Sequence, residues 1–293
     1  MTWDIRDRTV LVTGGNSGLG KATAEALARH GSRVVITARD EAKGADAAAE
    51  IGHSTGSGVS VMRLDLADLA SVKAFSDEFT TNHGDLAVLV NNAGGVFGSR
   101  SETVDGFETT FGTNHLGPFL LTSLLTDLLV ASAPARVINV ASIAHTNATD
   151  GIRFDDLMFE EGRYRQMKAY GHSKLANILH AKELNRRLSG RGVTAYSVHP
   201  GLVQTDLGRG ESLLITMAIM FGRRRLVSPE QGASTAVWLA TDPKVTDNAG
   251  GYFADRAPSR STRHATDPDQ ARWLWEVSES LVERDPPGQD CRR

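Results

Sequence analysis

"TVLVTGGNSGLGKATAEALARHG", Thr9 to Gly31, decides the fold. An apolar, β-branched run at 9–14 enters a glycine-rich turn and leaves it as a helical pattern. Ala22 and Leu27 face inward in that helix, and Gly31 closes it as a C-cap. Gly14, Gly18 and Gly20 follow a G-x-x-x-G-x-G spacing, with Asn16, Ser17 and Leu19 between them. Glycines let the backbone turn tightly and let a pyrophosphate approach the amides at the positive end of the following helix. Scattered glycines would fit a flexible turn equally well. Strand, glycines and helix in this order favour a phosphate cradle.

The same alternation continues along the chain. Strands are predicted at 9–14, 33–38, 59–64, 86–92, 135–142, 192–199 and 250–255, with helical segments between the first six. Strands apolar almost throughout need cover on both faces, as in a parallel sheet. Right-handed crossovers then give an α/β fold: a single-domain, Rossmann-like, doubly wound sheet of about seven strands with helices on each side. No repeat or Pro/Gly linker divides residues 1–282, and the polar stretch "ERDPPGQDCRR", which supplies residues 283–293, is expected to be a disordered tail.

Bulk composition narrows the function. Lys+Arg 32 against Asp+Glu 35 provides no basic field, so nucleic-acid partners are not expected. Cys291 is the one cysteine, which excludes intrachain disulfides and cysteine metal clusters; no metal site is expected. The opening residues lack a secretory pattern, and the longest apolar run, "LLITMAIMFG" (213–222), is about half of a ~20-residue membrane span. A cytoplasmic location is expected.

Strand two closes at Ala38 and is followed by Arg39 and Asp40. A guanidinium suits a ribose 2′-phosphate, which favours NADP(H); Asp40 could instead serve the 2′-hydroxyl of NAD(H). Asp65, after strand three, could bond an adenine amino group while Leu66 packs on the ring.

"NNAG" (91–94) ends strand four, "NHLG" (114–117) lies in a helical segment, and "VINVASIAH" (137–145) carries Ser142. With "TGGNSGLG" and Tyr170-x-x-x-Lys174, these motifs resemble the classical short-chain dehydrogenase/reductase family over residues 8–282. "YGHSKLANILHAKELNRRL", "VTAYSVHPGLVQTDL" and "SPEQGASTAVWLATDP" resemble its retinol dehydrogenase-like branch, whose amino-terminal membrane anchor is not expected here. The resemblance implies four catalytic residues. Tyr170 exchanges a proton with the substrate oxygen, and Lys174 favours its phenolate and holds the nicotinamide ribose. Ser142 bonds the carbonyl, and Asn114 supports a water chain. It also implies that Asn92, Ala93, Gly94, Pro200, Gly201, Val203 and Thr205 shape the cofactor pocket, and that a homodimer can form through helices after strands four and five.

A second tyrosine–lysine pair, Tyr164 and Lys168, has the same spacing. Residues four apart share one helical face, so spacing cannot choose between the pairs. Tyr164 lies in the charged stretch "FEEGRYRQMK", whereas Tyr170 begins a regular helix with Leu175, Ile178, Leu179, Leu184 and Leu188 facing a core. A rigid helix holds a proton donor in place better than a loop does, so Tyr170 is selected and Tyr164 is expected to line or cover the cleft. His172 and His199 are read as packed residues. A substrate lid is expected at about 206–228, where Leu213, Leu214, Ile215, Met217, Ile219, Met220 and Phe221 suggest a hydrophobic small-molecule substrate. Membrane contact through Arg223, Arg224 and Arg225 is a weaker reading of the same run. A non-catalytic NADP sensor or scaffold would be expected to have lost the tyrosine or lysine. A light-dependent protochlorophyllide reductase-like enzyme is disfavoured by the absence of core cysteines.

Overall fold

Alternate residues of the first strand pack against opposite layers. In β1 (Thr9–Val12), Val10 and Val12 join one core cluster and Leu11 the other, and all three are fully buried. The computed structural model describes residues 3–203 and 226–283. Seven further strands complete the sheet: β2 (Arg33–Ala38), β3 (Val59–Arg63), β4 (Val88–Asn91), β5 (Ala135–Val140), β6 (Val193–Val198), β7 (Tyr252–Ala254) and β8 (Ala257–Pro258). Their order is β3-β2-β1-β4-β5-β6-β7-β8, parallel as far as β7, with β8 antiparallel at the edge. The doubly wound architecture is as expected. The eighth strand was not: it is two residues long, follows a turn at Asp255 and Arg256 with φ of 50° and 57°, and carries no readable period. Pro258, which cannot donate to a ladder, sits on that edge.

On one side of the sheet lie α1 (Gly18–Arg29), α2 (Glu41–Thr55) and, late in the chain, a helix at Pro229–Thr241. Leu27, Ile51 and Leu239 pack there on Val12, Ile36 and Val198. The other side carries α3 (Leu69–Asn82), the short α4 (Thr109–Phe111), a π-helical turn (Gly112–Leu116), α5 (Gly117–Leu124), α6 (Thr126–Ala131) and α7 (Gln166–Leu188). The late helix at Pro229–Thr241 is α8, and it is followed by α9 (Arg263–Thr266) and α10 (Pro268–Val282). Phe79, Leu121, Leu179 and Leu274 close the second layer over Leu89 and Val137.

Side-chain caps fix where most long helices begin. Asp40, Asp68 and Asp267 each accept from first-turn amides, and Ser228 with Gln231 forms a reciprocal capping box. One buried cation helps to tie the layers. Arg136 of β5 donates to the carbonyls of Leu239 (2.6 Å) and Asp242 (2.8 Å) at the end of α8, and its guanidinium lies 3.9 Å from the centre of the Trp3 ring. Burial lowers it to about 10, still charged at neutral pH.

Phe79 is fully buried and stacks on Phe75 at 5.7 Å, whereas Val104 is 74% exposed. Phe79→Ala is expected to cost about 3–5 kcal/mol in urea unfolding. Val104→Ala should stay within about 0.5 kcal/mol of the parent. Similar losses in both variants would contradict this core.

Candidate active site

From β1 the chain winds outward to β2 and β3, then returns to β4 on the other side of β1 and winds the opposite way. The C-terminal ends of β1 and β4 therefore border a crevice, the place where open α/β sheets take ligands. Here it is a cleft of about 590 Å³. Gly14, Asn16, Ser17, Gly18, Leu19, Gly20, Arg39, Asp65, Leu66, Asn92, Ala93, Gly94, Ser142, Tyr170, Lys174, Pro200, Gly201 and Val203 all line it, as the sequence led us to expect. Thr205 and most of the expected lid lie outside the described residues, as does nearly all of the expected tail.

The cradle is built from backbone. Gly14 has φ +65°, a conformation that a side chain would strain. A Cβ on Gly20 would stand 2.2 Å from the Gly14 carbonyl oxygen, so only glycine lets α1 come this close to β1. Thr13 latches the cradle to β4: its hydroxyl accepts from the amides of Asn92 and Ala93 (both 3.0 Å), while the Asn92 side chain donates to the Thr13 carbonyl at 2.8 Å. Unlike α2, α3, α8 and α10, α1 has no side-chain cap at its N-terminus, since Ser17 makes no capping bond. Its first amides are left open toward the cleft, where an anionic group would complete them.

At the end of β2, Asp40 is occupied. Its carboxylate accepts from the Lys43 amide at 3.1 Å and lies 3.6 Å from the Lys43 ammonium. Among the described residues nothing pairs with the exposed Arg39 guanidinium. Asp65 accepts from the Ala67 amide through Oδ1, leaving Oδ2 free of that bond. Open helix amides, a positive-φ glycine turn and a free guanidinium fit a dinucleotide phosphate chain.

Three strands across, at β5, the polar side chains converge. Tyr170 and Lys174 are 7% and 4% exposed on α7, and Ser142 follows β5 at 5%. The Lys174 ammonium lies 5.5 Å from the Tyr170 ring centre and donates to the Val140 carbonyl at 2.9 Å. Burial pushes the Tyr170 phenol up to about 12, and its hydrogen bond with Ser142 pulls the other way. Burial lowers Lys174 to about 8. Burial dominates, and the phenol keeps its proton at neutral pH.

Asn114 stands behind the cleft wall in the π-helical turn, 1% exposed. Its side chain accepts from the Gly95 amide (2.8 Å) and donates to the Gly95 carbonyl (2.9 Å) and to Ser173 (3.0 Å), clamping the loop after β4 to α7. A π turn is a common device for aiming one residue at a functional site.

Tyr164 is a correction, for it does not line the cleft. Its hydroxyl donates to Glu108 Oε1 at 2.8 Å and accepts from Thr110. Glu108, fully buried, caps α4 through the Thr110 and Phe111 amides. Lys168 reaches Asp150 at 3.4 Å. Both members of the second pair are thus held by carboxylates. His172 accepts from the Arg153 amide, and His199 from that of Ile143, so both are packed as expected. The sequence reading missed Thr37, Lys43, Val96, Phe97 and Thr113, which also line the cleft, together with Leu226 of the expected lid. Only Lys43 left a signal, in the Asp40-x-x-Lys43 spacing of a helix start. Among the described residues, no cluster of His, Cys, Asp or Glu is arranged to hold a metal, and no helix is long and apolar enough to cross a membrane.

A model of the short chain dehydrogenase family matches residues 8–153. Retinol dehydrogenase 12 of Mus musculus is 46% identical over 279 residues, which cover 95% of this chain and 87% of the mouse protein. The chain is a short-chain dehydrogenase/reductase. Retinol dehydrogenase 11 of Homo sapiens is 44% identical, the alignment covering 96% of this chain and 87% of the human one. Among solved structures, an uncharacterized protein from Mycobacterium paratuberculosis superposes with a TM-score of 0.77 at 34% identity, covering 98% of this chain and 100% of that one. The Pseudomonas aeruginosa RhlG/NADP active-site complex gives 0.70 at 28% identity, over 86% and 96% of the two chains. As a short-chain dehydrogenase/reductase, the protein is an oxidoreductase.

Lys174 gives this enzyme a pH signature. Its folded value, about 8, lies below the ordinary 10.5, so the unfolded chain binds the extra proton between those limits. Stability contributed at this position therefore rises from pH 8 to 10, by up to about 1.4 kcal/mol per unit. Urea unfolding of the parent and of Lys174→Met at pH 8 and pH 10 measures it. The gain should vanish in the variant.

Proposed function

We propose that the protein is an NADP(H)-dependent oxidoreductase that interconverts a carbonyl and an alcohol on a lipophilic small molecule. One observation carries the reading: Tyr170, Lys174 and Ser142 meet in the same cleft as Arg39, which has no partner among the described residues and lies three strand positions away. At ~4.8 Å per strand that separation is about 14 Å, a span suited to a dinucleotide lying across the strand ends. Arg39 would hold the 2′-phosphate, and the engagement of Asp40 as a helix cap argues against the NAD(H) alternative. The α1 amides would meet the pyrophosphate, and Asp65 and Leu66 the adenine.

A nicotinamide held here supplies or accepts the hydride at the substrate carbon. Tyr170 gives its proton to the oxygen in reduction and recovers it in oxidation. A phenol protonated at neutral pH is poised to give. Lys174, charged at that pH, steadies the phenolate left behind and would also hold the nicotinamide ribose. The Ser142 hydroxyl donates to the same substrate oxygen as charge develops there. Asn114 would keep the α7 face in register and support a water path from Lys174 to solvent.

The apolar lining of Val96, Phe97, Leu202 and Leu226 supports a hydrophobic substrate of the retinal, steroid or polycyclic ketone or aldehyde type. The names of the retinol dehydrogenase relatives point the same way. Work in the cytoplasm, as a homodimer and without nucleic acid, completes the proposal. The first test is titration with NADPH and NADH, followed by a screen of ketones, aldehydes and hydroxylated polycycles.

Tyr170→Phe should lower kcat by about 10²–10⁴ while leaving the Kd for NADPH near the parent value. Full turnover would remove the proton donor from the scheme. Arg39→Ala should weaken NADPH by about 10- to 150-fold, the worth of charge-assisted bonds, and leave NADH almost unchanged. Parallel losses for both cofactors would reverse the assignment of Arg39.

A further inference from the structure

Lys174 does not wait in open space. It is docked on the Val140 carbonyl, which accepts from two side chains: Lys174 Nζ at 2.9 Å and Asn177 Nδ2 at 3.2 Å. β4 pairs with β5 only as far as Asn91 opposite Asn139, so Val140 extends one residue past that ladder. Its carbonyl is buried and draws these donors from α7, because a buried carbonyl without a partner is costly. Tyr170, Lys174 and Asn177 are spaced i, i+4 and i+7, which puts them on one helical face. Asn177 is 6% exposed and does not line the cleft.

We infer that Asn177 is a positioning residue for Lys174: it keeps the Val140 carbonyl satisfied, so the ammonium can leave that carbonyl for the nicotinamide ribose. This rests on the cofactor reading given above. With Asn177 in place, moving Lys174 exchanges one donor on a carbonyl that retains another. Without it, the same move strands a buried acceptor, and Lys174 stays docked. The loss falls on the nicotinamide half of the cofactor alone.

The experiment measures Kd for NADPH and for adenosine 2′,5′-bisphosphate, which has no nicotinamide ribose, by calorimetry at pH 7.5. The proteins are the parent, Asn177→Ala, Asn177→Leu, Lys174→Met and the Lys174→Met/Asn177→Leu double variant. Asn177→Ala removes the donor without adding charge or bulk, which guards against a misfolded Asn177→Leu. Both Asn177 variants should weaken NADPH by about tenfold and leave the bisphosphate unchanged. On the Lys174→Met background, Asn177→Leu should add nothing, because no ammonium remains to be released. Equal weakening of both ligands, an undiminished loss on the Lys174→Met background, or no change in NADPH affinity each overturns the inference. Failure of the parent to bind NADPH would instead overturn the proposed cofactor.

Discussion

Two parallel strands end side by side while the chain leaves them in opposite directions, and the chemistry of this protein depends on that gap. A crossover connection cannot fill the space at the C-terminal ends of β1 and β4, because each connection departs toward its own side. What closes the floor is a small polar latch. The Thr13 hydroxyl and the Asn92 carboxamide bind the two strand ends to each other, so the glycine turn is anchored on one side and free on the other. The cleft is a product of topology first and of side chains second.

The long helix α7 works under the opposite constraint. From Ala169 to Ala181 every residue is buried, so its polar groups must find partners inside the protein or serve chemistry. Ser173 finds Asn114, Asn177 finds the Val140 carbonyl, and His172 finds the Arg153 amide. Tyr170 and Lys174 reach the cleft instead. Burial favours the neutral form of each: the phenol rises and the ammonium falls, to about 8, which leaves Lys174 mostly charged at neutral pH.

Most of this was legible in the sequence, for identifiable reasons. Strands buried on both faces read as apolar runs, and the turn after β1 reads as glycines because backbone approach tolerates nothing larger. The choice of Tyr170 over Tyr164 followed from helical order, and the structure puts Tyr170 in the cleft. The role of Tyr164 was not legible, since its partner Glu108 is 56 residues away and spacing says nothing of long-range capping. Val96 and Phe97 were missed because a loop has no period. The phenol's elevation was missed because it depends on burial, which a residue pattern shows only indirectly.

The cap formed by Asp40 bears on how the proposed preference for NADP(H) could change. An acid able to grip a ribose hydroxyl would have to arise at or beside the end of β2. Asp40 is already committed to the first turn of α2, and releasing it would fray a helix. Ala38 packs its methyl against Gly44, where an added methyl would stand 3.0 Å away, leaving a longer side chain little room to leave past α2. Selection acting on either position alone would meet a folding defect before it met a new preference, so a switch would have to travel through paired changes.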